Sequence, residues 1–100
     1  MPAYTTLSAQ EISAALATLP EWKAQSDELV AEYALRDFRS AMLLINMIAA
    51  QAEVMNHHPS WSNTYNRVAF RLSTHDAGGK VTNLDIAMAE YINKISKQFI

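Results

Sequence analysis

Apolar residues recur at helical spacing in three stretches of the chain and alternate with polar ones in the two regions between them. Ser8-Ala9-Gln10-Glu11 reads as a capping box, with Leu7 and Ile12 placed for a hydrophobic staple. Ile12, Ala15, Leu16 and Leu19 continue one helical face until Pro20 ends it. From Trp22 to about Leu35 the period shortens to two: Leu29, Ala31, Tyr33 and Leu35 alternate with Val30, Glu32, Ala34 and Arg36, as in a half-buried strand. The preceding segment, Glu21 to Gln25, reads as its hairpin partner, turned at Ser26-Asp27-Glu28. A second helix is predicted from a Ser40 cap to about His57, with Leu44, Ile48 and Met55 on one side and Asn46, Ala49, Ala50, Glu53 and His57 on the other. Most of its remaining circumference is apolar as well, which predicts cover on more than one side. Trp61 to Thr74 is strand-like, with Val68, Phe70 and Leu72 inward and a kink or turn near Asn66-Arg67. After the Ala77-Gly78-Gly79-Lys80 loop, Thr82-Asn83-Leu84-Asp85 opens a last helix whose stripe runs through Leu84, Met88, Tyr91, Ile92, Ile95 and Phe99. The order α-β-β-α-β-β-α predicts one α+β domain over residues 1–100, a four-stranded antiparallel sheet with its helices on one face.

Composition narrows the function. Half of the 100 residues are hydrophobic, enough for a core and against disorder. A formal charge of -2 with no basic run argues against nucleic acid as a direct ligand. Without cysteine there is neither a disulfide framework nor a thiolate site. Met1 to Thr6 lacks the pattern of a leader, and the apolar run Ala41 to Met55 is too short and too interrupted to cross a bilayer. The expectation is a soluble, cytoplasmic protein with no membrane partner.

The candidate chemistry lies in three histidines, His57, His58 and His75, gathered at one helix end and one strand end. Imidazole, with an ordinary pKa of about 6.5, exchanges a proton near neutrality, so the clustering points to proton transfer. Glu53 lies four residues before His57 on the predicted helix, a spacing at which the two side chains meet and the carboxylate orients the ring. His75 precedes the glycine loop, a usual location for a ligand contact. Three plainer alternatives stand beside this. The histidines cap a helix C-terminus, where cations are favoured. Glu53, His57 and His75 ligate a catalytic zinc. Trp61 and Tyr65 only pack, and Asp85 only caps the last helix.

The segment Glu53, His57-His58-Pro59, Trp61, Asn63, Tyr65-Asn66, then Leu72-Ser73-Thr74-His75 and the acidic Asp85, resembles the pterin-4a-carbinolamine dehydratases, also known as dimerisation cofactors of a homeodomain transcription factor. The resemblance covers roughly residues 5 to 99, with a loop after His75 about one residue longer than in familiar members. It implies a lyase that removes water from 4a-hydroxy-tetrahydropterin to give quinonoid dihydropterin, in recycling the cofactor of aromatic amino-acid hydroxylases. It implies no metal and no organic cofactor. By analogy, His57 and His75 would be the acid/base pair and His58 would bind and orient substrate. Glu53 would orient His57, the backbone of Ser73 and Thr74 would meet the polar edge of the pterin, and Trp61 and Asp85 would belong to the substrate site. Homodimers or homotetramers are implied, with a hydroxylase or a transcription factor as the protein partner. The competing reading is a non-catalytic adaptor that binds a partner through its apolar second helix.

Overall fold

The computed structural model describes residues 3–100; Met1 and Pro2, the start of the segment read for a leader, lie outside the described residues. The elements are α1 (Ala9–Leu16), β1 (Lys23–Gln25), β2 (Glu28–Ala34), α2 (Phe38–Met55), β3 (Ser60–Thr64), β4 (Arg67–Leu72), a single 3₁₀ turn (His75–Ala77) and α3 (Asn83–Ser96). The four strands form one antiparallel sheet in the order β1-β2-β4-β3.

Alternation along the strands decides which face is covered. Leu29, Ala31 and Tyr33 of β2 and Val68, Phe70 and Leu72 of β4 are buried. They form one cluster with Leu44 and Ile48 of α2 and Met88, Ile92 and Ile95 of α3. Glu32, Arg67 and Arg71 point the other way and are exposed. Trp22, Tyr33 and Phe70 pack ring against ring, and the Trp22 indole N–H donates to the Tyr33 hydroxyl at 2.8 Å. Burial pushes the Tyr33 phenol up to about 12.

The predicted fold class holds, and the differences lie at element ends. The Ser8–Glu11 capping box is formed, but α1 ends at Leu16 rather than at Pro20. Two tight turns follow it, Leu19 N–H to the Leu16 carbonyl and Trp22 N–H to the Leu19 carbonyl, and they deliver Leu19 and Trp22 into the core. The β1–β2 turn is made by Ser26 and Asp27, both with positive φ (51° and 63°), as the commonest two-residue hairpins require. Asp37, not Ser40, caps α2: its Oδ1 accepts the Ser40 amide at 2.7 Å, so the helix begins at Phe38. Tyr65 and Asn66 divide the long strand-like stretch into a hairpin, one residue earlier than expected, and the Asn63 side chain holds the turn by donating to the Tyr65 and Arg67 carbonyls. α3 stops at Ser96, short of Phe99, whose carbonyl accepts from Arg36 N.

α2 is buried along Ala41, Leu44, Ile48 and Ala52, while Phe38, Leu43 and Val54 (79%) face outward. Two more contacts matter for the site. Residues 5–7 run beside Val81–Asn83, through Leu7 N to the Val81 carbonyl (3.0 Å), a Thr6–Thr82 bridge and a reciprocal pair between Thr5 and Asn83. The loop after β4 is closed by Thr74 N to the Lys80 carbonyl at 2.9 Å. Among the described residues, no helix is long and apolar enough to cross a membrane.

Candidate active site

The end of α2 sets the directions of its two histidines. Asn56 takes the left-handed conformation (φ 50°, ψ 44°), its N–H returns to the Ala52 and Glu53 carbonyls, and His57 N–H reaches back to the Ala52 carbonyl at 3.0 Å. This is a Schellman-type stop, in which Asn tolerates a conformation that costs most side chains energy. His57 therefore leaves the helix and turns inward, 4% exposed, while His58 stays at the surface before Pro59.

The expected Glu53–His57 pair is not formed. A four-residue spacing aligns side chains only while the helix continues, and it ends at Met55. Glu53 instead meets His58, Oε2 to Nε2 at 2.5 Å, in a pair largely open to solvent. The partner of His57 is Asp85, Nε2 to Oδ1 at 2.7 Å, with both side chains buried.

Asp85 is the centre of a dry network. Its Oδ2 accepts from the Thr74 hydroxyl (2.8 Å) and from Thr82 N–H (2.9 Å). Because the Thr74 hydrogen is spent on Asp85, the Thr82 hydroxyl donates to Thr74 Oγ1 at 2.6 Å. Thr82 Oγ1 in turn accepts Leu84 N–H at 3.2 Å. Capping and site-building are thus one arrangement: the carboxylate that closes the first turn of α3 also holds the imidazole. Asp85 as a carboxylate accepts the Nε2 proton of His57 and leaves Nδ1 as its free nitrogen. Nδ1 has no partner among the described residues, yet no buried side-chain polar atom among them is unpartnered. Nδ1 therefore opens onto a surface.

That surface is a pocket of about 160 Å³ lined by Asn56, His57, His58, Ser73 and His75. All three histidines of the chain meet there. Two larger hollows, between α1 and β1 and on the open face of the sheet, contain no histidine. His75 sits on the 3₁₀ turn rather than at the end of a strand, its side chain fully exposed and its Nδ1 3.5 Å from Asp76 Oδ1.

The other sequence candidates divide. Ser73 lines the pocket, but Thr74 lies beneath it. Its amide donates to Lys80 and its carbonyl accepts from Ala77 and Gly79, so the Thr74 backbone is already engaged and the hydroxyl is what serves the site. Trp61 is 40% exposed on β3 and does not line the pocket. The zinc set fails on geometry, since Glu53 goes to His58 and His57 to Asp85; among the described residues no three such side chains could share an ion. Asn56 and Thr82 were not read from the sequence as site residues. The signal for Asn56 was its place before the His-His-Pro turn, and for Thr82 its place as the cap whose third follower is Asp85.

The model of the family described as pterin 4 alpha carbinolamine dehydratase matches residues 5–95. The chain belongs to that family. A protein of Opitutus terrae, provisionally named a pterin-4-alpha-carbinolamine dehydratase, is 45% identical over 92 residues, which cover 92% of this chain and 95% of that one. A protein of Metallosphaera sedula with the same provisional name is 42% identical over 91 residues, 91% and 94% of the two chains. A crystal structure titled transcriptional coactivator/pterin dehydratase, from Brucella melitensis, superposes with a TM-score of 0.87 at 35% identity, covering 92% of this chain and 99% of that one. This family membership accounts for the shared fold and for the pterin as the class of substrate its relatives' names carry.

Proposed function

We propose that this chain dehydrates 4a-hydroxy-tetrahydropterin to quinonoid dihydropterin and water. The observation that carries the reading is the meeting of His57, His58 and His75 at one pocket, with a buried carboxylate behind His57. In the reaction the C4a–O bond breaks, the departing oxygen takes a proton and leaves as water, and the N5 proton goes to a base as the N5–C4a double bond forms. Two positioned imidazoles supply both transfers. His57 suits the base: Asp85 holds its Nε2 proton, Nδ1 is free to accept one, and the imidazolium that results lies against a carboxylate. His75 is then the acid toward the leaving oxygen, and His58, steadied by Glu53, binds and orients the ring. Ser73 lines the floor where the polar edge of the pterin would lie. The donors present need neither a metal nor an organic cofactor for these steps.

The product fits recycling of the pterin used by aromatic amino-acid hydroxylases, a role that suits a cytoplasmic protein. Exposed Leu43 and Val54, which share one side of α2, favour a homodimer or homotetramer assembled through that face. The same face supports a second reading, a transcriptional cofactor that binds a partner protein, and the coactivator title of the Brucella relative points the same way. The test is the dehydration rate of chemically prepared 4a-hydroxy-tetrahydropterin with and without the protein. Acceleration well above the spontaneous rate supports the dehydratase; its absence in folded protein leaves the cofactor reading.

A further inference from the structure

His75 poses a positioning problem. Its ring is fully exposed, and among the described residues its one charged neighbour within 4 Å is Asp76 of the same turn, 3.5 Å away and half exposed. Among the described residues nothing grips the imidazole as Asp85 grips His57, so its position relative to the pocket depends on the backbone of the turn His75–Ala77. Below that turn, Thr74 is fixed by Lys80 and by the buried network around Asp85. Beyond it come Gly78 and Gly79, both with positive φ (71° and 78°), the two most permissive residues of the chain.

One side chain from the far end of the sequence reaches the turn itself. The Tyr4 hydroxyl donates to the Asp76 carbonyl at 2.9 Å across 72 positions. Tyr4 is not a loose end. The next three residues are paired to the start of α3: Thr5 N–H to Asn83 Oδ1 at 2.7 Å, Asn83 N–H to the Thr5 carbonyl at 3.2 Å, the Thr6–Thr82 bridge, and Leu7 N–H to the Val81 carbonyl at 3.0 Å. The segment thus spans from the α3 terminus that carries Asp85 to the turn that carries His75. It links the two sides of the pocket. Tyr4 stands one residue ahead of the stretch matched by the family model.

We propose that Tyr4 is a positioning residue for proton transfer at His75, holding the 3₁₀ turn at a fixed distance from His57 through the Asp76 carbonyl. The proposal rests on the dehydratase reading, and its test separates the two. Tyr4→Phe removes one exposed hydroxyl and leaves the ring and the Thr5–Leu7 pairing in place, so melting should be unchanged. A lost hydrogen bond of ordinary strength should lower kcat about two- to ten-fold with KM little altered. In the His75→Ala background, the same substitution should cost nothing further, because the group it positions is gone. Amide hydrogen exchange at Ala77 and Gly78 should quicken in Tyr4→Phe while that of α3 stays put.

An unchanged kcat in Tyr4→Phe, with His75→Ala strongly impaired, overturns the role of Tyr4 and leaves the dehydratase reading standing. A second, additive loss in the His75→Ala background also overturns it, since Tyr4 would then act elsewhere. Should His75→Ala keep full acceleration, the reading of His75 fails first and the proposal falls with it.

Discussion

The two sides of the pocket are built differently. His57 is buried and fixed by Asp85, which is itself fixed by Thr74 and Thr82, with every donor matched to an acceptor. His58 and His75 are exposed: one leans on a solvated Glu53, and the other is carried by its backbone turn. Burial makes the first side a structural element as well as a chemical one, because a charge left unpaired in a dry site is expensive. On the second side, water screens the pairs and structure gains little from them. Function and stability should therefore be inseparable at His57 and separable at His75.

The largest test of this contrast is truncation. His57→Ala takes one of three donors from the buried Asp85 carboxylate, which costs about 1–3 kcal/mol, and the rate loss comes with lower melting. His75→Ala should lose about a hundred- to ten-thousand-fold of the acceleration with melting within about a degree or two of wild type. Equal melting of the two variants by calorimetry would erase the distinction.

Asp85→Asn probes the network more finely. An amide offers one acceptor where the carboxylate takes three donors, so either His57 or the Thr74–Thr82 pair is opposed by N–H. Stability should fall by about 1–3 kcal/mol and kcat by more than tenfold together. A loss of stability with kcat intact would reduce Asp85 to a helix cap.

At the exposed pair the expected effects shrink. His58→Ala should raise KM more than it lowers kcat, and Glu53→Gln should change stability by less than about 0.5 kcal/mol. Steady-state kinetics beside urea unfolding would show it; a large stability loss in Glu53→Gln is the outcome that breaks the picture.

The smallest effect lies away from the site. The Ser40 amide and hydroxyl hold the Asp37 carboxyl below its ordinary 3.8, and the Ser8 amide and hydroxyl lower Glu11 from 4.5. Groups depressed in the folded state stabilise it above their unfolded pKa, and that contribution is lost as pH falls through the folded values. Melting of Asp37→Asn should therefore lie below wild type at neutral pH and converge with it in acid below the ordinary carboxylate range.

How much of this the sequence displayed depended on the range of the interaction. Strand alternation at Leu29–Leu35 and Val68–Leu72 and the two capping boxes are local signals, and the fold class followed from them. The histidine cluster was visible because His57 and His58 adjoin and a β-hairpin returns the chain to His75. The partner of His57 was not, because the pattern favoured Glu53 four residues away over Asp85 twenty-eight away, and only a left-handed Asn56 reverses that. Asp85 read as a cap, which it is. Its second role needs the packing of α3 against the end of α2. Tyr4 gave no signal at all, since its hydrogen bond joins opposite ends of the chain to a carbonyl that any residue could supply.

The central claim is that two imidazoles, one buried and one exposed, carry the proton transfers. The most direct measurement is the dehydration rate of 4a-hydroxy-tetrahydropterin with His57→Gln/His75→Ala, where glutamine keeps an N–H for Asp85 but cannot transfer protons. The double variant, folded by circular dichroism, should work near the spontaneous rate, with losses that need not sum from the single variants. Wild-type acceleration by the folded double variant would contradict the account.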